Sequence, residues 1–281
     1  MRTLMAVLVS LTAWALGWQR QAAAPQTYQE TFYRSGNLKI QAYVYRPEGS
    51  GPFPAVIYNH GSRPGRERVQ VPFIHIGEML AKDVNDSIPY VVIVPERRGY
   101  GRSDGKPFQE EIGEDRGPRY VHRLQEEADD VIAAAEFSKT LPYVNGTQVG
   151  VMGWSFGGIV SVFAASRSSI FRVVVDQAGG ALSWQGSPDL QRTLQEAARR
   201  IQIPMLGMVA ENDRATESVR AVVEEAKKRG GIANLIVYPA FTPRENPNGI
   251  APGHMIFGTE GKRIWEKDLK KFLSENLAVK N

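Results

Sequence analysis

The sequence predicts an α/β fold: a mostly parallel central sheet with antiparallel N-terminal strands and helices on both faces. Three observations carry this prediction. Short runs rich in β-branched residues, at 53–58, 88–94, 149–152, 171–175, 203–209 and 232–238, are mostly apolar, and the run at 53–58 is continuously so, as strands buried on both faces are. Most of the segments between them place apolar residues at helical spacing, the pattern of crossovers that cover a parallel sheet. Residues 28–33 and 38–45 instead alternate apolar and polar around Ser35-Gly36-Asn37, which reads as an antiparallel hairpin at a sheet edge.

In chain order, a Gly/Pro loop at 46–52 leads to the strand at 53–58, which ends in Asn59-His60-Gly61-Ser62 and an Arg-rich polar loop. A helix is expected over 71–82, where Phe73, Ile76, Met79 and Leu80 share one face. The strand at 88–94 runs into Pro95-Glu96-Arg97-Arg98-Gly99-Tyr100-Gly101. Leu124, Ala128, Val131, Ile132 and Ala135 then mark a helix over 120–139. The strand at 149–152 passes through Gly153-Trp154-Ser155-Phe156-Gly157-Gly158 into a helix at 156–166, and the next strand follows at 171–175. Residues 183–201 are polar with a helical tail and suit a small insert over a site. Beyond the strand at 203–209, Val219, Val222, Val223 and Ala226 mark another helix. The last strand, at 232–238, is followed by a loop to His254 and a final helix carrying Trp265, Leu269 and Phe272.

Composition bounds the function. With 281 residues, 42% hydrophobic and 23% charged, the chain can bury one sizeable core. It has no cysteine, which excludes disulfides, thiolate metal sites and a cysteine nucleophile. A net charge of +4, with 34 basic residues interspersed among 30 acidic ones, gives no nucleic-acid footprint. Arg2, the apolar run from Leu4 to Trp18 and the polar, small-residue stretch to Pro25 follow the order of a secretory signal peptide. Residues 1–24 are therefore expected to be a signal peptide or an N-terminal anchor. Residues 25–281 are then a single domain that is exported to the periplasm or secreted, with no other membrane association.

With 27 glycines in the chain, Gly153-x-Ser155-x-Gly157 is a weak signal alone. Its position between a buried strand and a helix gives it meaning, because a tight turn there lifts a serine hydroxyl clear of the sheet. Active sites of open parallel sheets lie beyond the carboxyl ends of the strands. Ser155, Asp213 and His254 each follow a strand, in the order nucleophile, acid, base. A serine hydroxyl needs an imidazole to take its proton, and the imidazole needs a carboxylate to fix its tautomer. His254 alone among the four histidines follows the acid on a loop. His75 and His122 fall in helices, and His60 reads as part of a structural turn. Asp176, at the end of the strand beginning at Phe171, is the rival to Asp213. An oxyanion needs two preorganised N–H donors, assigned here to Phe156 and Ser62. Arg97 and Arg98 either meet a substrate carboxylate or pin their own Gly-rich turn.

His60-Gly61-Ser62, the run from Arg97 to Gly105, Gly153-Trp154-Ser155-Phe156-Gly157-Gly158, Asn212-Asp213 and Gly253-His254 together resemble the serine α/β-hydrolases, nearest the dienelactone-hydrolase-like and prolyl-oligopeptidase-like branch. The resemblance implies an α/β-hydrolase fold and hydrolysis of an ester or related acyl bond of a small substrate, with no metal or organic cofactor. A small peptidase or amidase using the same three residues is the alternative, and a non-catalytic binding protein on this fold is the second. Oligomeric state is not written in these residues.

Overall fold

The computed structural model describes residues 27–82, 88–180, 183–228, 230–246 and 249–277. The expected signal peptide lies outside them. Eight strands form one sheet: β1 (Gln29–Ser35), β2 (Leu38–Tyr45), β3 (Phe53–Asn59), β4 (Val91–Glu96), β5 (Val144–Trp154), β6 (Phe171–Gln177), β7 (Met205–Ala210) and β8 (Ala233–Tyr238). Their spatial order is β1-β2-β4-β3-β5-β6-β7-β8. β1 pairs with β2, and β2 with β4, in antiparallel fashion, while β4-β3-β5-β6-β7-β8 is parallel throughout. Continuous apolar runs mark the strands covered on both faces: β4 and β7 are buried along their whole length, whereas the edge strand β8 is buried only at its two ends.

Seven helices cover the sheet: α1 (Ile74–Ala81), α2 (Phe108–Ile112), α3 (Pro118–Lys139), α4 (Phe156–Arg167), α5 (Pro188–Ala198), α6 (Thr216–Lys227) and α7 (Lys262–Asn276). α3, α4, α5 and α6 pack side by side, and α1 and α7 flank a common groove. α4 has no polar stripe, because every residue from Phe156 to Ala165 is buried among the sheet and its neighbouring helices.

The boundaries depart from the sequence reading at physically explicable places. α1 starts at Ile74 because Phe73 is left-handed, with φ 52° and ψ 49°, which no right-handed helix can pass through. β5 begins at Val144, five residues early; Val144 pairs with Phe53, and a register shift precedes the Ala55–Val149 pair, so its polar start hid the strand. β4 is displaced to Val91–Glu96, and α2, only five residues long, is too short to show periodicity.

From β3 the chain steps to β4 on one side, then returns to β5 and continues through β6, β7 and β8 on the other. The adjacent ends of β3 and β5 therefore form a switch point, where an open parallel sheet leaves a crevice.

Candidate active site

Ser155 occupies that switch point, as the single residue between β5 and α4. Its backbone has φ 58° and ψ −117°, a conformation that costs an L-residue roughly 1–3 kcal/mol and persists only where its surroundings hold it. The holding bonds are its own N–H donating to the Gln177 carbonyl (2.8 Å) and the Gly158 N–H donating to the Ser155 carbonyl (3.0 Å). The turn also requires its flanking glycines. A Cβ on Gly153 would overlap the Gly157 backbone, and one on Gly157 would overlap the backbone of Asn59.

Two further strand ends supply the next groups. Asp213 follows β7 and His254 lies on the 3₁₀ turn Pro252–Phe257 beyond β8. His254 Nδ1 is 2.9 Å from Asp213 Oδ2, and both side chains are buried. A carboxylate oxygen only accepts, so in this bond Nδ1–H is the donor and Nε2 points away from Asp213. The other carboxylate oxygen, Oδ1, accepts from the Ala215 N–H at 2.9 Å and so fixes the carboxylate plane. The imidazole lies 5.3 Å from the indole of Trp154, whose Nε1–H donates to the His254 carbonyl (3.2 Å). The residue before the serine thus carries the histidine, so the base turn and the strained turn are held together.

The loop after β3 closes the other side. A Cβ on Gly61 would lie 3.3 Å from Ser155 Cβ, which places the Gly61–Ser62 peptide against the serine. Fully buried His60 sets the orientation of that peptide: its Nδ1 lies 2.7 Å from the Gly61 carbonyl oxygen, which can only accept. In a trans peptide, the C=O and following N–H point in opposite directions, so tying the Gly61 carbonyl to the ring turns the Ser62 N–H away from it. Burial, with the Arg97 and Arg63 guanidinium groups nearby, holds the His60 pKa well below its ordinary value, so the ring stays neutral. Phe156 opens α4, and the first N–H of a helix has no intrahelical acceptor. Ser62, Phe156 and Ser155 all border one pocket.

The remaining sequence candidates lie elsewhere. Asp176 ends β6, wholly buried, and makes no ion pair with a histidine among the described residues; Oδ1 accepts from the Gly179 N–H at 2.9 Å. Burial raises its carboxyl to about 7. Arg97 pairs with Glu127 (2.7 Å) and donates to the His60 carbonyl (3.0 Å), while Arg98 grips Asp130 through Nε (3.0 Å) and Nη2 (2.9 Å). Both arginines pin the loop and neither borders the pocket. His75 sits on α1 and His122 is exposed on α3.

Sequence reasoning missed the pocket itself. Besides the residues above, it is bordered by Arg63, Glu67, Tyr100, Phe108, Arg116 and Tyr120, which come from three loops and two helices and form no motif. Ser183 also borders it, so the anticipated insert does reach the site.

Comparison with known proteins agrees with the architecture. The prolyl oligopeptidase family model matches residues 85–200. The curated quorum-quenching protein AidA of Acinetobacter baumannii is 24% identical over 153 residues, which are 54% of this chain and 44% of that protein. Among solved structures, the acylaminoacyl peptidase of Pyrococcus horikoshii superposes with a TM-score of 0.63 at 18% identity, covering 90% of this chain and 42% of the peptidase. Est1E from Butyrivibrio proteoclasticus, solved with ferulic acid bound, gives 0.62 at 16% identity, covering 89% of this chain and 100% of Est1E. The match thus spans less than half the length of the curated relative and of the peptidase. Fold and matches converge on one placement: this chain has the α/β-hydrolase fold, and its central part is similar to the prolyl oligopeptidase family.

Proposed function

We propose that the protein is an exported serine hydrolase that cleaves an ester or related acyl bond of a small substrate through an acyl-enzyme. The observation that carries this reading is the 2.9 Å His254–Asp213 pair, fixed through Trp154 to the strained Ser155 turn. His254 Nε2 takes the proton as Ser155 Oγ attacks the acyl carbonyl, and Asp213 stabilises the imidazolium that results. The N–H groups of Ser62 and Phe156 hold the oxyanion. Collapse of the tetrahedral species expels the alcohol, protonated by His254. Water, deprotonated by the same imidazole, then attacks the acyl-enzyme, releases the acid and restores Ser155.

Ester cleavage is taken as the first reading, and the similarity to Est1E, solved with ferulic acid bound, supports it. The match to the prolyl oligopeptidase family keeps the peptidase reading as the second one. Comparing kcat/KM for p-nitrophenyl acyl esters and the matching aminoacyl anilides tests the choice. Esters are expected to be faster by orders of magnitude, and comparable anilide turnover would reverse the assignment. Export rests on the N-terminal apolar run alone.

A further inference from the structure

The pocket beside Ser155 has a volume of about 140 Å³, close to the roughly 150 Å³ of a cavity that accommodates one benzene ring. Its walls suit a ring. Phe108 stands edge-on to Phe156 (4.7 Å between centroids) and to Tyr120 (5.7 Å), the arrangement that aromatic groups favour and that an entering aryl group would extend.

The polar groups bordering the pocket are selective. Arg63 is held elsewhere through its terminal nitrogens, paired with Glu96 and donating to the Val69 carbonyl at 2.9 Å, and keeps only its buried Nε–H without a partner among the described residues. The Tyr120 hydroxyl is likewise committed to Ser183 Oγ. Two charges remain. Glu67 is more than nine-tenths buried and forms no ion pair among the described residues; its carboxylate accepts only a 3.3 Å bond, from the Gln109 N–H. Arg116 stacks over Tyr120 at 5.2 Å, and its Nη1 donates to the carbonyls of Gly113 (3.1 Å) and Asp115 (2.6 Å). Among the described residues its one ion pair is with the exposed Glu114, 3.9 Å from Nη2. An anionic ligand would be repelled by Glu67 and a cationic one by Arg116. A hydroxyl satisfies both, since it donates to a carboxylate and accepts from a guanidinium.

We propose that this pocket is the acyl subsite for a single-ring hydroxyaryl group of the hydroxybenzoyl type, with Glu67 and Arg116 reading the ring hydroxyl. The assignment rests on Ser155 being the nucleophile.

The test measures kcat/KM of the purified chain on ethyl esters of benzoic, 3-hydroxybenzoic, 4-hydroxybenzoic, 4-carboxybenzoic and 4-(aminomethyl)benzoic acids. One of the hydroxybenzoates is expected to exceed benzoate by about tenfold, the scale of one hydrogen bond to a charged group, with both charged esters below benzoate. Glu67→Gln and Arg116→Gln should each bring the hydroxybenzoate-to-benzoate ratio towards one, a ratio that cancels any general loss of activity within a variant. Benzoate equal to or better than both hydroxybenzoates, preference for either charged ester, or a ratio unmoved by both variants overturns the proposal. Ethyl acetate turnover and fluorophosphonate labelling separate the two failures. A wild type that shows neither refutes the nucleophile assignment itself, whereas one that shows both without a hydroxyl preference refutes only the subsite.

Discussion

Asp213 and Asp176 are the same residue type at the ends of neighbouring parallel strands, and both are buried. The difference lies in what faces them. Asp213 has an imidazole nitrogen at 2.9 Å and the Ala215 N–H on its other oxygen, so both its oxygens are used. Asp176 is wedged between the first turn of α4 and Gly179, where a Cβ on either Gly158 or Gly179 would overlap its Oδ1. One carboxylate faces an imidazole partner, while the other has none and is pushed towards its neutral form by burial. Strand-end position makes a carboxylate available; the partner across the crevice decides its role.

The largest effect expected from this contrast is catalytic. Asp213→Asn should lower kcat on a reactive ester by about 10⁴-fold, because the amide no longer holds His254 in the required tautomer. Asp176→Asn should leave kcat within about threefold, since it contacts no reacting group. Steady-state kinetics on both variants would break the comparison if the two losses were similar.

The next effect is on stability, and its sign follows from the raised carboxyl. Folding moves Asp176 from 3.8 to about 7, so the folded state keeps a proton that the unfolded chain releases. Stability from this group is full below about pH 4 and is lost as pH rises through 7, by at most about 4 kcal/mol. An amide in its place stays neutral, so Asp176→Asn should melt close to wild type below about pH 4 and several degrees above it at pH 8. Thermal unfolding at the two pH values checks this, and a constant gap would show that Asp176 is charged throughout.

A smaller effect is expected at His60, a positioning residue. His60→Phe keeps a ring beside Tyr100 and Phe73 but removes the group that orients the Gly61 carbonyl. kcat should fall about ten- to a hundredfold with KM little changed, part of the value of one oxyanion donor. A rise in KM with kcat intact would mean that the loop shapes binding instead. Smallest is the strain at Ser155, where Ser155→Gly should raise stability by about 1 kcal/mol if φ 58° is held against its preference. Denaturant unfolding measures it, and a loss of stability would show that the turn is unstrained.

The sequence displayed the sheet well because its buried strands carry mostly apolar runs, and it displayed Ser155, Asp213 and His254 because each follows one of them. It could not separate Asp213 from Asp176, since both end strands and only tertiary packing determines which one faces His254. Glu67, Phe108, Arg116 and Tyr120 were illegible for another reason. They reach the pocket from a loop, a five-residue helix, an interhelical turn and the start of α3, so no spacing along the chain records their meeting. The α1 boundary was lost to a single left-handed residue, Phe73, whose side chain carries no signal of that conformation.

The central claim is that Ser155, activated by His254 and Asp213, is the nucleophile. Peptide mapping after reaction with a fluorophosphonate tests it directly. A single adduct on Ser155 in the wild type, absent from Ser155→Ala and formed far more slowly in Asp213→Asn, is the predicted result. An unlabelled folded wild type, or equal labelling of Ser155→Ala, would contradict it.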